Sequence, residues 1–125
     1  MITAKEWLTE AEADLVAAVA VAEKGVYARA CFHCQQAVEK ALKALLIHKK
    51  NSFPKTHSLI ELAEKAGVLD KLKESVKDID SDYVIARYGD AAGRPPLEIY
   101  DAQEFEKRLA DARNALGMIC AWMKN

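Results

Sequence analysis

The 125-residue sequence has little of what marks a secreted or membrane-spanning protein. Its longest apolar run, LVAAVAVA at 15–22, is far shorter than the about 20 residues that span a bilayer. The N-terminal stretch MITAKEWLTEAEADL carries acidic residues where a signal peptide needs a basic start and an apolar core. Three cysteines cannot all pair within one chain, and nothing indicates secretion. These absences predict a cytoplasmic protein without a membrane segment.

The sequence also lacks an excess of charge of either sign and the common catalytic motifs. Because the net charge is -1, any nucleic-acid binding must come from a local patch. No Ser-His-Asp order, P-loop, Rossmann fingerprint or HExxH motif occurs. The Cys31-Phe32-His33-Cys34 stretch has no second ligand pair for zinc, so we expect Cys31 and Cys34 to be buried thiols. The sequence therefore predicts neither a metal site nor a cofactor.

What is present is helical periodicity along nearly the whole chain. Apolar residues recur at spacings of three and four, and no segment alternates as a strand does. We predict an all-α fold, an up-and-down antiparallel bundle of about four to five helices, forming one domain over 1–125. The first helix is expected from the Thr3 capping box to Gly25, the second from about Val26 to Lys49, the third from Ser58 to Gly67, the fourth from about Leu69 to Asp80, and the last after Asp101.

The second predicted helix carries a basic stripe opposite its apolar face. The stripe comprises Arg29, His33, Gln36, Lys40 and Lys43. Such a stripe suits a phosphate-binding surface, with His33 and Lys40 as candidate ligand contacts. The pattern favours instead an ordinary solvated face supported by local ion pairs, of which Glu39 with Lys43 is one, because charged outer faces are the norm for amphipathic helices. His57, at the start of the third helix, is a candidate for ligand binding or for a local hydrogen bond that holds its turn.

The segment YVIARYGDAAGRPPLEIY, Tyr83 to Tyr100, is predicted to be a long non-helical connection. Arg87 has the planar fork suited to phosphate, and Tyr88 beside it suits base stacking. Asp90 is a candidate to orient Arg87 or to accept a proton, and Arg94 adds a second positive charge. The alternative is structural: Tyr83, Val84 and Tyr88 would plug the bundle while Arg87 and Asp90 form a pair.

Three stretches together resemble the HEPN family of small helical domains linked to nucleotide binding. ARACFHCQQAVEKALKALL, at 28–46, is similar to a family helix with a Gln-Gln-Ala-x-Glu-Lys-Ala-x-Lys-Ala pattern. KTHSL, at 55–59, is similar to a Thr-His-x-Leu turn of the family. YVIARYGDA, at 83–91, resembles its Arg-Tyr-Pro-Asp segment, with Gly89 where proline is usual.

The resemblance implies a helical bundle that forms homodimers and is often encoded with a minimal nucleotidyltransferase in toxin–antitoxin modules. It also implies, for many members, metal-independent ribonuclease activity that uses an Arg followed after about four to six residues by a His. Arg87 is the counterpart of that Arg and the candidate catalytic residue, but no His follows it in that window. Tyr88 and Tyr100 are, by the same resemblance, candidates for adenylylation by such a partner.

Three functional hypotheses follow from the sequence. The first is a non-catalytic module that binds nucleotide or RNA and acts with a nucleotidyltransferase partner. The second is a metal-independent endoribonuclease toxin that uses Arg87 with an atypical base, supplied by Tyr88, His57 or the second subunit. The third is a purely structural dimeric assembly protein.

Overall fold

The computed structural model describes residues 1–124, and within them all regular structure is helical. The helices are α1 (Ala4–Glu23), α2 (Tyr27–Lys50), α3 (Leu59–Lys65), α4 (Leu69–Val76), α5 (Asp82–Tyr88), α6 (Pro96–Ile99) and α7 (Ala102–Met123). The predicted all-α fold is confirmed. In this part of the chain no helix combines the length and the apolar character that a bilayer crossing requires.

The long helices begin at the caps that the sequence predicts. The Thr3 hydroxyl accepts a hydrogen bond from the Glu6 amide at 3.1 Å, and the Thr3 amide donates to the Glu6 carboxylate at 2.9 Å. Asp101 caps α7 by accepting from the Glu104 amide at 2.8 Å. Gly25, at a φ of 77°, lets the chain turn between α1 and α2. These ends define the first hairpin and the start of the last helix.

Helix α2 is the centre of the bundle. It packs against α1 and α7 along its length and contacts α3, α5 and α6 on its remaining sides. Ala30, Cys31, Cys34, Ala37, Val38, Ala41 and Leu42 are all fully buried on it. The prediction that Cys31 and Cys34 are core thiols is confirmed. Because other helices surround α2, side chains on several of its faces contact those helices.

The two short helices after α2 cover one end of the bundle. The Ser58 hydroxyl caps α3 by accepting from the Glu61 amide at 3.1 Å, and Leu59 and Leu62 are fully buried. Helix α4 ends at Val76, earlier than predicted, and the chain continues in turns to Ser81. Leu72 and Val76 are nevertheless buried, as their spacing predicts, and α4 packs against α7.

The prediction of one long non-helical segment from Tyr83 to Tyr100 is wrong. Helix α5 occupies its first part and the one-turn helix α6 its last part, with only the intervening residues irregular. Gly89, at a φ of 94°, ends α5, and Pro96 begins α6. The glycines and prolines mark the boundaries of short helices here, and α5 is held by packing against α2.

Candidate functional site

A cluster of aromatic rings surrounds one guanidinium on the outer surface of α5. The carbon at the centre of the Arg87 guanidinium lies 4.7 Å from the ring centroid of Tyr83, 4.9 Å from that of Tyr88 and 5.5 Å from that of Phe32. Nη2 of Arg87 also donates to the Tyr88 hydroxyl at 2.8 Å. We name these residues, together with His57, the Arg87 cluster. Contacts of this kind restrict the side chain while leaving its charge at the surface.

His57 joins the cluster through the same tyrosine. Its imidazole stacks on Tyr83 with ring centroids 4.0 Å apart and an interplanar angle of 12°. Its Nδ1 lies 3.1 and 3.2 Å from the two carboxylate oxygens of Glu39. The side chain of His57 is 53% exposed, whereas that of Glu39, which its Nδ1 contacts, is only 4% exposed. The fold thus brings His57 and Arg87, 30 positions apart in the sequence, onto one aromatic ring.

A buried polar network on α2 holds His57 in place. Gln35 is fully buried, and its Nε2 donates to the backbone carbonyl of His57 at 3.1 Å. Glu39 pairs with Nζ of Lys43 at 2.9 Å, which confirms the ion pair expected from the i, i+4 spacing. Gln36 donates to the side-chain oxygen of Gln35 at 2.7 Å. Buried polar groups of this kind need partners, and here the partners set the position of the chain at His57.

A second network anchors α5 to the core. Asp82 is fully buried at the start of α5, where its carboxylate accepts from the Tyr100 hydroxyl at 2.5 Å and from Nε of Arg108 at 2.7 Å. Burial raises the pKa of Asp82, and the hydrogen bonds from Arg108 and Tyr100 oppose that rise. Burial and the bond to Asp82 raise the pKa of Tyr100. The three residues fix α5, and with it Arg87, relative to α7.

The basic stripe of α2 is partly neutralised by α1. Asp14 lies 3.0 Å from Nδ1 of His33 through one carboxylate oxygen and 2.6 Å from Nζ of Lys40 through the other. Arg29 donates from Nη1 to the carbonyl of Ala86 at 3.2 Å. The stripe is therefore tied to α1 and α5 by ion pairs and hydrogen bonds, and its charges are less free to attract an anion than the sequence alone suggests.

Asp90 and Arg94 lie in the turn that follows α5, and neither contacts Arg87. The carboxylate of Asp90 accepts from the amides of Ala92 at 3.0 Å and Arg94 at 3.3 Å, so it shapes the turn. Arg94 donates from Nη2 to the carbonyl of Glu98 at 2.7 Å. The predicted pair of Arg87 with Asp90 is wrong, because Asp90 is engaged by the backbone of its own turn.

Tyr83, Tyr88 and Val84 do not plug the bundle as a set. Tyr88 is 70% exposed and Val84 is 55% exposed, whereas Tyr83 is half-buried between His57 and Phe32. Tyr100, by contrast, is only 7% exposed. The two tyrosines considered for modification therefore differ sharply, since Tyr88 presents its ring to solvent and Tyr100 is bonded within the core.

The described residues contain no grouping of three or more His, Cys, Asp or Glu side chains that could hold a metal ion. Burial raises the pKa of the Cys34 thiol to about 12 and raises that of Cys31 as well. Both thiols therefore stay protonated near neutral pH, which makes them poor ligands and poor nucleophiles. The groups that remain for chemistry at the Arg87 cluster are the Arg87 guanidinium, the His57 imidazole and the aromatic rings.

The sequence indicated Arg87, Tyr88 and His57 but not the contacts that connect them. Phe32 and Tyr83 provide ring faces, and Glu39 and Gln35 hold His57 from α2. One signal was present in the sequence: Gln35 and Glu39 are polar residues adjoining the apolar positions of a helix whose other residues fill the core. Polar groups placed there usually have a specific partner.

Comparison with known proteins agrees with the fold. The family model described as HEPN domain matches residues 4–122. The protein named "Putative toxin MJ1304", from Methanocaldococcus jannaschii, is 30% identical over 134 aligned positions, covering 97% of this chain and 88% of that protein.

Two solved structures are also similar over nearly their whole lengths. The protein TT1696 from Thermus thermophilus has a TM-score of 0.86 and 33% identity, covering 97% of this chain and 98% of the other. ST0689, described as an archaeal HEPN homologue, has a TM-score of 0.82 and 26% identity, covering 98% and 99%. The chain is thus a small helical domain of the kind these proteins share. It belongs to the HEPN family.

Proposed function

We propose that this HEPN domain binds a nucleotide or an RNA strand at the Arg87 cluster. The observation that carries the proposal is the exposed Arg87 guanidinium packed among three aromatic rings, with the His57 imidazole stacked on one of them. A planar guanidinium pairs with phosphate oxygens through two parallel hydrogen bonds. An exposed aromatic ring such as that of Tyr88 offers a face on which a base stacks.

The electrostatics favour this cluster over the basic stripe as the centre of binding. His33 and Lys40 share the carboxylate of Asp14, so their net attraction for a phosphate is reduced. Arg87 has no carboxylate within ion-pairing distance among residues 1–124, and its side chain is exposed. We therefore expect Arg87 and Tyr88 to supply the main contacts, and His33, Lys40, Asp90 and Arg94 to contribute weakly or through the shape of the surface.

A direct binding measurement tests the proposal. Fluorescence anisotropy with a labelled single-stranded RNA at low salt should show binding by the wild type that Arg87→Ala weakens about tenfold or more. Arg113→Ala is the matched control, because Arg113 is an exposed arginine of α7 that lines a shallow groove against α1 and makes no hydrogen bond, ion pair or cation–π contact with the cluster. Equal affinity of the wild type and Arg87→Ala would contradict the proposal.

A second candidate function is metal-independent RNA cleavage, favoured by the proximity of His57 to Arg87. In that reaction an imidazole nitrogen takes the proton of a ribose 2′-hydroxyl and the 2′-oxygen attacks the adjacent phosphorus. The 5′-oxygen leaves with a proton, giving a 2′,3′-cyclic phosphate and a 5′-hydroxyl end. Arg87 would stabilise charge on the phosphate. Cleavage in EDTA by the wild type that both Arg87→Ala and His57→Ala abolish would support this function, and its absence would leave the binding module.

We also propose that the protein acts with a partner in a toxin–antitoxin-like pair, as a homodimer. One relative carries the name "Putative toxin MJ1304", and Val84 of α5 and Leu97 of α6 are large apolar side chains left exposed, as is Tyr88 of the cluster. Exposed apolar groups of this kind suit a protein contact.

Light scattering of the purified protein tests the homodimer, which a monomer mass at high concentration would contradict. Co-purification with a nucleotidyltransferase expressed from the neighbouring gene tests the partner.

If such a partner transfers a nucleotide to this chain, Tyr88 is the better acceptor. Its ring is 70% exposed, whereas the hydroxyl of Tyr100 is buried, donates to Asp82 and has a raised pKa. Intact mass after incubation with the partner and ATP should show a gain in the wild type that Tyr88→Phe abolishes. Persistence of the gain in Tyr88→Phe would place the modification elsewhere.

A further inference from the structure

An open pocket lies where the last turns of α2 and α7 meet the start of α4. Its volume is about 490 Å³, within the roughly 300–1,000 Å³ that is usual for ligand pockets. The buried side chains of Leu45 and Val68 line it, and the half-buried Trp122 forms one wall. It shares no lining residue with the Arg87 cluster. We name this second site the Trp122 pocket.

The charged groups that line the Trp122 pocket are all basic. His48 and Lys49 come from the last turn of α2, and Lys71 comes from the first turn of α4. Neither lysine forms an ion pair with a carboxylate within residues 1–124, where Nζ of Lys49 donates to the carbonyl of Ala66 at 2.8 Å. Because the whole chain has a net charge of -1, this positive charge is a local feature, and it favours an anionic ligand.

The pocket also presents apolar surface between these charges. Nζ of Lys71 lies 5.7 Å from the ring centroid of Trp122, so the cation is placed over an aromatic face. Leu45 and Val68 are buried in the fold and form the floor, whereas the basic side chains are exposed and form the rim. A ligand that fits both parts has an apolar body and more than one negative charge.

An acidic peptide segment fits this combination better than a nucleotide does. Nucleotide phosphates are usually held by arginine or by free backbone amides, and no arginine lines the pocket. The amides of Gly67 and Val68 already donate to the carbonyls of Glu64 and Ala63, each at 3.0 Å. Since the basic groups come from two helices, they suit separate carboxylates spaced along a chain better than one phosphate group.

We infer that the Trp122 pocket docks a short acidic segment of a partner protein. One large apolar side chain of that segment packs against Leu45, Val68 and Trp122. Asp or Glu residues on either side of it pair with Lys49 and Lys71 at the rim. The inference goes beyond the proposed function, because it assigns a second surface that works without the Arg87 cluster.

The fluorescence of Trp122 reports directly on this pocket. The chain has two tryptophans, so Trp7→Phe leaves Trp122 as the sole one. Trp7 packs edge to face on Phe53 with ring centroids 5.6 Å apart, a contact that phenylalanine retains. Trp7→Phe is therefore the parent protein for the titrations that follow.

The probes are three peptides, each about eight residues long, that contain neither Trp nor Tyr. Each has one central Leu, Met or Phe flanked by Asp and Glu residues. In one set of control peptides every acidic residue is replaced by Lys, and in a second set the apolar residue is replaced by Gly. The parent protein should give a saturable change in Trp122 fluorescence below about 1 mM acidic peptide, and neither control set should give it. Raising the salt to about 0.5 M should weaken the binding.

Two variants of α4 test the role of the rim. Lys71→Glu in the parent protein should raise the dissociation constant of the acidic peptides about fivefold to tenfold, because it removes an attraction and adds a repulsion. Lys73→Glu is the matched control, since Lys73 is an exposed lysine of the same helix that does not line the pocket. It makes the same change of charge and should bind the acidic peptides like the parent protein.

Each outcome bears on the inference separately from the proposed function. No response of Trp122 to any acidic peptide, or unchanged affinity in Lys71→Glu, would overturn the inference. A response to ATP or to single-stranded RNA without a response to the peptides would also overturn it, in favour of a nucleotide site. Arg87→Ala should bind the acidic peptides like the parent protein, and Lys71→Glu should bind RNA like the wild type. Failure of RNA binding at Arg87 would therefore leave this inference standing.

Discussion

His57 and Tyr83 stack face to face, with their ring centroids 4.0 Å apart and their planes 12° from parallel. Neither residue would be chosen as the other's partner from the sequence, because one precedes α3 and the other lies in the first turn of α5. Gln35 and Glu39 hold the turn that contains His57. The stacked pair connects this turn to α5, the helix that carries Arg87. This contact is what assembles the imidazole and the guanidinium into one surface.

Tyr83→Ala should therefore weaken RNA binding although Tyr83 itself is half-buried. Removal of the ring takes away the face against which both His57 and Arg87 lie, so both side chains gain freedom that binding must then remove. We expect the affinity for single-stranded RNA, measured by anisotropy, to fall about tenfold. Tyr83→Phe keeps the ring and should bind like the wild type. If Tyr83→Ala binds equally well, the stacking does not organise the site.

The hydroxyl of Tyr100 should matter for stability. It donates to the buried Asp82 at 2.5 Å, and Tyr100→Phe would leave Asp82 with Arg108 as its side-chain donor. Loss of a donor to a buried carboxylate costs about 1–3 kcal/mol of the free energy of unfolding. Urea unfolding followed by circular dichroism measures this difference.

Tyr27→Phe is the matched control for that experiment. Tyr27 is half-buried and packs against Phe105 with ring centroids 6.3 Å apart, and no side-chain hydrogen bond of its hydroxyl is present within the described residues. Its free energy of unfolding should change by less than about 0.5 kcal/mol. A Tyr100→Phe variant as stable as Tyr27→Phe would show that the Asp82 network does not stabilise the fold.

The long helices could be predicted from sequence because their signals are local. Capping residues such as Thr3 and Asp101, and apolar residues at spacings of three and four, identify α1, α2 and α7 without knowledge of their neighbours. Helix α5 is different: it has seven residues, and a helix of that length is not stable alone. It forms because it packs against α2 and because Asp82 is bonded to Tyr100 and Arg108, all of which are distant in sequence.

The candidate site was predictable residue by residue but not as an arrangement. Arg87 and Tyr88 were identified from their chemistry, and His57 from its place before a helix. What joins them is a set of contacts between distant positions, from Glu39 to His57 and from His57 to Tyr83. Periodicity relates only residues that are three or four apart, so it cannot indicate such pairs. The alternative pair of Arg87 with Asp90 was wrong for a different reason: α5 ends before Asp90, whose carboxylate accepts from the amides of its own turn.

The three cysteines should differ in reactivity in the folded protein. Cys31 and Cys34 are fully buried, and burial raises both pKa values, that of Cys34 to about 12. Only the thiolate reacts with iodoacetamide, so at mildly alkaline pH these two thiols should stay unmodified. Cys120 is half-buried and should react slowly, since burial also raises its pKa; its reaction should quicken as the pH rises.

Mass spectrometry distinguishes these cases. The native wild type should gain a single adduct, and the protein in urea should gain adducts on all three cysteines. Cys120→Ser should gain none in the native state. Rapid modification of Cys31 or Cys34 without denaturant would mean that the centre of α2 opens readily, contrary to its burial.

Gly89 should be the glycine least tolerant of substitution. Its φ of 94° and ψ of 179° belong to a region that only glycine adopts readily, and an added Cβ would lie 2.1 Å from the carbonyl oxygen of Arg94. Gly89→Ala combines backbone strain with a clash against backbone, and should lower the free energy of unfolding by at least about 3 kcal/mol. Gly93→Ala is the control: its φ is 81°, but nothing lies within 4 Å of the added Cβ, so about 1 kcal/mol is expected.

Gly89→Pro tests the same turn with the residue that is usual there, because Gly89 stands where the Arg-Tyr-Pro-Asp segment of the HEPN family has proline. Proline holds φ near -65° and has no amide hydrogen, whereas the Gly89 amide donates to the carbonyl of Ile85 at 2.9 Å. The substitution should therefore destabilise α5 and displace Arg87, weakening RNA binding and lowering the urea midpoint. If Gly89→Pro is as stable as the wild type, the turn after α5 can adopt a negative φ, and neither the backbone strain nor the clash predicted for Gly89→Ala has to arise.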